Sequence, residues 1–92
     1  MNNLKYDLKN KYCLITGAAG LLGEEHAHSL LEINANVILT DIDIKKLNFI
    51  KKKLIKKYPM SKIFITKMDV SKESSIKKVV KNLKKKKVKL YC

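Results

Sequence analysis

Arginine is absent from this sequence, so all 21 basic residues are lysine, against eight acidic residues, for a formal net charge of +13. The charge is uneven: residues 1–43 hold three lysines and six acids, and residues 44–92 hold eighteen lysines and two acids. Lysine lacks the planar guanidinium group with which arginine reads phosphates and base edges. We therefore interpret the lysines as solvated helix faces and keep a nucleic-acid-binding protein as the less favoured alternative.

Long apolar runs and cysteines at metal-ligand spacing are missing as well. Apolar runs are a handful of residues long and residues 1–10 form a polar arm, so neither a membrane span nor a signal peptide is predicted. Cys13 and Cys92 suggest no metal site and no disulfide framework, and a reducing compartment fits both. The sequence thus predicts a small, soluble cytoplasmic protein without a metal.

Short β-prone runs alternate with helical patterns along the chain. Strands are predicted at 12–16, 37–40 and 63–66, and each is followed by an amphipathic stretch. This order, β-α-β-α-β-α, predicts an α/β fold: a partial doubly wound parallel sheet of three strands with helices on its faces. The apolar stripes of the three helices are Ala27, Leu30 and Leu31; then Leu47, Ile50, Leu54 and Tyr58; then Ile76, Val79, Val80 and Leu83.

Polar residues and one proline mark the predicted helix ends. Asp43 is expected to cap the second helix, and Pro59 to end it. Ser71 is the predicted N-cap of the third helix, with Glu73 in its first turn. That helix is expected to give way to a lysine-rich tail at 84–92.

A glycine-rich turn, "TGAAGLLG" at residues 16–23, joins the first predicted strand to the first helix. Backbone N–H groups and the helix dipole make such a turn an anion site. Gly17 would allow the sharp turn, Gly20 the approach of a dinucleotide pyrophosphate, and Gly23 close packing of the helix on the sheet. The alternative is a glycine-rich turn with no ligand.

The second predicted strand ends at Asp41, eighteen residues past Gly23. A carboxylate there can accept hydrogen bonds from the hydroxyls of an adenosine ribose, and its charge would repel a 2′-phosphate. The sequence therefore predicts NAD rather than NADP. A second helix cap beside Asp43 is the alternative role for Asp41.

These segments resemble the short-chain dehydrogenases/reductases over about residues 8–83. "TGAAGLLG" is similar to the cofactor turn of the extended branch, whereas "VILTDID" and "MDVSKESSIKKVV" are more similar to the smaller branch, so the branch stays open. The resemblance implies an NAD(P)-binding Rossmann fold in an oxidoreductase, with Ile42 against the adenine and Asp69 and Val70 at its edge. The implied cofactor-binding residues are Gly17, Ala19, Gly20, Leu21, Leu22, Gly23, Asp41, Ile42, Asp69 and Val70.

Catalytic residues of that family have no counterpart in this sequence. The family uses a serine and a tyrosine followed four residues on by a lysine, all beyond the third helix. The segment 58–62 has the Tyr-x-x-x-Lys spacing, but Pro59 marks a helix end, so we predict no catalytic residue here. The segment 88–90 fits the start of the family's fourth strand.

Two histidines are the other candidates for chemistry. His26 and His28 are two residues apart on a predicted helix, point to different faces, and predict no metal site. Glu24 and His28, four residues apart, are expected to form a surface pair.

Residues 1–92 are thus predicted to form a single incomplete dinucleotide-binding domain that binds the adenosine–pyrophosphate half of NAD and is inactive alone. A truncation or a shifted reading frame in the lysine codons is our hypothesis for the abrupt tail. By resemblance, the full-length parent would take a sugar or nucleotide-sugar substrate, as in surface-polysaccharide or flagellin modification, and could form an oligomer. The alternative is a stand-alone nucleotide-binding or regulatory module.

Overall fold

The computed structural model describes residues 11–88 and residue 90, and it has the predicted order of strands and helices. The predicted arm at 1–10 lies outside the described residues. Within the described part of the chain, no helix is both long and apolar enough to cross a membrane. The elements are β1 (Tyr12–Ile15), α1 (Leu21–Glu32), β2 (Asn36–Asp41), α2 (Ile44–Lys57), β3 (Ile63–Lys67) and α3 (Glu73–Lys85).

The three strands form one parallel sheet in the order β1-β2-β3. Ile15 lies opposite Leu39 in β2, and Leu39 lies opposite Ile65 in β3. β2 is buried along almost its whole length because the sheet covers both its edges and helices cover both its faces. The carboxyl ends of all three strands consequently meet at one edge of the sheet.

Helices cover the two faces of the sheet unequally. α1 and α2 pack on one face around the larger core cluster, which includes Leu31, Leu39 and Leu47. The other face has a smaller cluster in which α3 contributes only Val79 and Leu83. The remaining apolar residues of the α3 stripe, Ile76 and Val80, are 36% and 37% exposed, so the burial expected for them is only partial.

The predicted ends of α2 are confirmed. The Asp43 side chain accepts a hydrogen bond from the backbone N–H of Lys46 at 3.1 Å, which makes Asp43 the N-cap. The helix ends at Lys57, ahead of Pro59. Both ends follow from local chemistry, a side-chain acceptor at the start and a residue that cannot continue the helix at the end.

The predicted N-cap of α3 is wrong. Lys72, not Ser71, occupies that position, and it makes no side-chain cap. The Asp69 carboxylate accepts hydrogen bonds from both the backbone N–H and the hydroxyl of Ser71, at 3.0 and 2.6 Å. The Ser71 hydroxyl is therefore engaged outside the helix.

At the carboxyl end, α3 continues to Lys85, into the predicted lysine-rich tail at 84–92. Leu90 forms a parallel bridge with Tyr12 on the β1 edge that β2 leaves free, in agreement with a further strand starting near 88–90. Positions 89, 91 and 92 lie outside the described residues. Cys13 is buried in β1 and is disulfide-bonded, against the expectation of no disulfide framework.

Candidate functional site

Two glycines of the turn between β1 and α1 are required by the fold itself. Gly17 has a φ of +61°, in the left-handed region that side chains disfavour. A Cβ atom on Gly23 would lie 2.5 Å from the Gly17 carbonyl oxygen and 2.6 Å from the Ala18 Cα. The backbone needs glycine at these two positions whether or not a ligand binds.

Gly20 is different because its own conformation does not require glycine. Its φ is −84°, and a Cβ there would meet the Gly17 carbonyl oxygen at 3.5 Å, an ordinary contact. Gly20 is exposed and forms the N-cap of α1 without a capping side chain. The glycine keeps the space in front of the helix open.

The first turn of α1 presents backbone donors to that open space. Leu21, Leu22 and Gly23 are the first three residues of the helix, and the Gly20 N-cap has no side chain to accept from their N–H groups. The Leu21 and Leu22 side chains are 87% and 70% exposed. An anion placed there would meet backbone N–H groups and the positive end of the helix dipole.

Asp41 connects the glycine-rich turn to the loop between β2 and α2. Its Oδ2 accepts a hydrogen bond from the Ala19 N–H at 3.0 Å, and its Oδ1 accepts one from the Asp43 N–H at 2.9 Å. The hydrogen bond from the Asp43 N–H lowers the pKa of Asp41, and the bond from the Ala19 N–H makes a smaller contribution in the same direction. The group is therefore a carboxylate at neutral pH. Asp43 is the N-cap of α2, and Asp41 accepts a hydrogen bond from the N–H of that N-cap residue, so the carboxylate also helps to hold the start of the helix.

Exposed apolar side chains follow the ends of β2 and β3. Ile42 comes directly after Asp41 and is 59% exposed, and Val70 comes directly after Asp69 and is 60% exposed. Because β2 and β3 are parallel neighbours, both residues lie at the same edge of the sheet. They offer apolar contact to a flat ligand at that edge.

Asp69 fixes the loop between β3 and α3. Its backbone N–H donates to the Ser75 Oγ at 3.0 Å, while its carboxylate holds Ser71. The hydrogen bond from the Ser71 hydroxyl is the main reason that the pKa of Asp69 is lowered. The loop that carries Val70 is thus held at both ends by side-chain hydrogen bonds.

Thr40 is a positioning residue that the sequence analysis missed. It is fully buried, its Oγ1 donates to the Ile15 carbonyl oxygen at 2.8 Å, and its own carbonyl accepts from the Ala18 N–H at 3.0 Å. Thr40 therefore joins the end of β1 and the start of the turn to β2. A polar residue inside the apolar run before Asp41 was the available signal.

Tyr58 and Lys62 do not lie on one helical face. Tyr58 is the C-cap residue of α2, and its hydroxyl lies 3.1 Å from His28 Nδ1. The backbone N–H of Lys62, which precedes β3, donates to a side chain in β2. His28 Nε2 lies 3.7 Å from Glu24 Oε2, so the predicted surface pair is present. Among residues 11–88 and 90, no three potential ligands cluster as a metal site.

A cavity of about 610 Å³ opens beside the turn, between β1 and α1. Thr16, Gly17, Leu22 and His26 contribute to its walls. Its walls also include Gly23, so the cavity touches both the turn and the first turn of α1. A ligand anchored on the first turn of α1 would therefore have room on the β1 side.

Comparison with known proteins finds a matching family model and similar sequences. The family model described as short chain dehydrogenase matches residues 11–91. The chain is 36% identical over 75 residues to the very-long-chain 3-oxoacyl-CoA reductase of Vanderwaltozyma polyspora, a match that covers 80% of this chain and 21% of that protein. The chain therefore spans about a fifth of the length of that reductase.

Solved structures have the same fold. A putative D-mannonate oxidoreductase from Haemophilus influenza with bound NAD matches at a TM-score of 0.80 and 25% identity, over 96% of this chain and 31% of that one. An NADPH-bound short chain oxidoreductase from Pseudomonas aeruginosa PAO1 matches at a TM-score of 0.79 and 22% identity, over 87% of this chain and 31% of that one. Each match uses under a third of the solved chain.

Proposed function

Since this chain belongs to the short-chain dehydrogenase family, we propose that it binds the adenosine–pyrophosphate half of a nicotinamide dinucleotide as part of an NAD(P)-dependent oxidoreductase. The observation that carries the proposal is Gly20, a glycine that the fold does not need. Its missing side chain leaves the first-turn amides of α1 open, which is the arrangement that receives a pyrophosphate.

The proposed adenosine site extends from the turn to the ends of β2 and β3. The pyrophosphate would lie against residues 17–23, and the ribose hydroxyls would donate to Asp41. Each Asp41 oxygen already accepts one protein hydrogen bond and has a further acceptor position, so both hydroxyls of a ribose can be served. Ile42 would contact the adenine face, and Asp69 and Val70 its edge.

We also propose that NAD is preferred to NADP. The support is the ionised Asp41 carboxylate, which would lie next to the 2′-phosphate of NADP, and the absence of basic residues from 16–23. The relatives divide on this point, because the structure of the Haemophilus protein has bound NAD and that of the Pseudomonas protein has bound NADPH. The preference therefore rests on this chain's own charge.

For the substrate, the proposal extends only to a chemical class. The relatives are named for a sugar acid and for an acyl-CoA, so a sugar or nucleotide-sugar substrate is one proposal among chemically distinct ones. Neither Tyr58 with Lys62 nor the histidines of α1 supply the acid/base group that the family uses. We propose that this chain binds cofactor but has no dehydrogenase activity by itself, in a cytoplasmic setting.

The test is a calorimetric titration of the 92-residue chain with NAD, together with an NADH turnover assay on the same sample. Gly20→Ser should weaken NAD binding at least tenfold, because the new side chain occupies the pyrophosphate position. Serine is a good N-cap, so the same variant should keep or gain thermal stability. That combination distinguishes a ligand site from a damaged fold.

Lys72→Ser is the matched control, since it places a serine at the N-cap of α3, a helix that contributes no residue to the proposed site. It should leave NAD binding within about twofold. Unchanged NAD affinity in Gly20→Ser would refute the pyrophosphate position. Measurable turnover by the chain would refute the claim of inactivity.

A further inference from the structure

Cys13 is the buried cysteine of β1, and its sulfur is disulfide-bonded. Its side chain is only 1% exposed and, like that of Ile15 two residues on, faces the side of the sheet that α1 covers. A cysteine of a second copy could not reach a sulfur at this depth, so the bond lies within one chain. Cys92 is the other cysteine of the sequence, which leaves it as the partner.

The segment after α3 reaches the free edge of β1 at Leu90. Leu90 forms a parallel bridge with Tyr12, the residue directly before Cys13, and the two residues from 90 to 92 span about 7 Å at most, which brings Cys92 within reach of β1. Val88 supports the same path, because its N–H donates to the Leu83 carbonyl at 3.0 Å and its side chain packs against the smaller core cluster. The approach of this segment to β1 thus rests on contacts other than the disulfide.

Non-covalent contacts hold the two edges of β1 with different strength. On one edge the whole of β1 is in register with β2. On the other edge the bridge at Leu90 is isolated, and the Leu90 side chain is 43% exposed. A covalent bond beside this bridge therefore decides whether the segment stays on the edge or leaves it.

We propose that Cys13 and Cys92 form a thiol–disulfide pair that controls the free edge of β1. The bond holds the segment that carries Leu90 on this edge, and reduction releases the edge for pairing with a second copy of the chain. In the reducing setting proposed for this protein, a disulfide is transient and redox-sensing rather than permanent. Residues 1–43 contain only three lysines, so charge repulsion opposes the meeting of two β1 edges less than it would at the helices α2 and α3.

Glutathione disulfide is a suitable oxidant for this pair, and the exchange balances. One cysteine thiolate attacks a sulfur of glutathione disulfide, which forms a mixed disulfide and releases one glutathione thiolate. The second cysteine thiolate attacks the protein sulfur of the mixed disulfide and releases the second glutathione. Both cysteines are oxidised, two glutathione thiols are formed, and the two cysteine protons end on those thiols.

The first experiment identifies the bond in the whole chain. The protein is treated with glutathione disulfide or with dithiothreitol, alkylated under denaturing conditions and weighed by mass spectrometry. The oxidised chain should take up no alkyl group and yield a Cys13–Cys92 cross-linked peptide, whereas the reduced chain should take up two groups. A chain that keeps both thiols, or that is linked through Cys13 to a second copy, would refute the pair.

The second experiment measures the β1 edge in both redox states. Amide hydrogen exchange in Tyr12–Ile15 should be about tenfold slower in the oxidised chain, at labelling times too short for global unfolding. The peptide Ile63–Lys67, at the opposite edge of the sheet, is the internal control and should not change. By light scattering the oxidised chain should be monomeric and the reduced chain should self-associate.

Cys92→Ser is the matched variant, because it removes the bond and leaves the buried Cys13 in place. With or without oxidant it should behave as the reduced wild type does, in both exchange and association. If the disulfide forms but neither exchange in β1 nor association depends on it, control of the edge is wrong. Binding of NAD is measured separately and does not enter either result, so the proposed function stands or falls on its own.

Discussion

Replacing Gly23 with alanine tests whether the glycines of the turn have different roles. The new Cβ would lie 2.5 Å from the Gly17 carbonyl oxygen and 2.6 Å from the Ala18 Cα. Heavy atoms in favourable contact lie about 3.5–4.0 Å apart, so α1 must move roughly 1 Å away from the turn. Forcing extra volume into a packed contact of this kind costs about 1–3 kcal/mol.

A second effect of opposite sign must be subtracted. Gly23 is the third residue of α1, and alanine is more favourable than glycine in a helix by about 1 kcal/mol. The backbone of the turn resists the movement because Thr40 accepts the Ala18 N–H and Asp41 accepts the Ala19 N–H. Because the turn resists this movement, we take the upper part of the range for the clash and subtract the gain in helix preference. We therefore expect Gly23→Ala to lower the free energy of unfolding by a net ~1–2 kcal/mol.

The assay is urea unfolding followed by far-UV circular dichroism, with Gly20→Ala as the matched control. At Gly20 the added Cβ makes only a 3.5 Å contact, so that variant loses only the preference of an N-cap for glycine over alanine, about 0.5 kcal/mol. If Gly23→Ala is as stable as Gly20→Ala, α1 can shift freely and the structural requirement argued for Gly23 is wrong.

Two further outcomes are expected. Thr40→Val keeps the buried shape but removes the hydroxyl that donates to the Ile15 carbonyl, and should lower the free energy of unfolding by about 1–2 kcal/mol in the same urea titration. Thr40→Ser keeps the hydroxyl and should lower it by less. Equal losses in the two variants would contradict the role of the hydrogen bond. Because the folded-state pKa of Asp41 lies below its ordinary 3.8, its ionised form stabilises the fold above that pH, and this contribution is lost as the pH falls through the lower folded value. The stability gap between wild type and Asp41→Asn should accordingly narrow as the pH falls below the ordinary Asp pKa of 3.8, and a gap that stays constant would refute it.

Local patterns were sufficient to predict most elements of this fold. β2 is an apolar run because both its faces are covered, and α2 has both a capping aspartate and a terminating proline, so their positions follow from nearest neighbours in sequence. Ser71 was predicted wrongly as an N-cap because Asp69, two residues earlier, competes for its hydroxyl. The α3 stripe predicted burial, but periodicity alone does not indicate whether a second surface covers Ile76 and Val80.

The candidate site was predictable to a similar degree and for the same reason. The spacing of the glycines and the position of Asp41 depend on the backbone path of one strand–helix–strand unit. The sequence pattern is sufficient to predict that path. Thr40 was missed because threonine is ordinary in strands, and its role depends on a hydrogen bond to β1.

The order β1-β2-β3 has a consequence for how the chain folds during synthesis. Each strand pairs with the strand that precedes it in sequence, across a single helix, so every sheet contact among these three forms within one strand–helix–strand unit. Such contacts close short loops and form early as the chain leaves the ribosome. The bridge from Tyr12 to Leu90 instead closes a loop over most of the chain. Among these described pairings, the one at the free edge of β1 thus forms last, and until then that edge is open to intermolecular strand pairing.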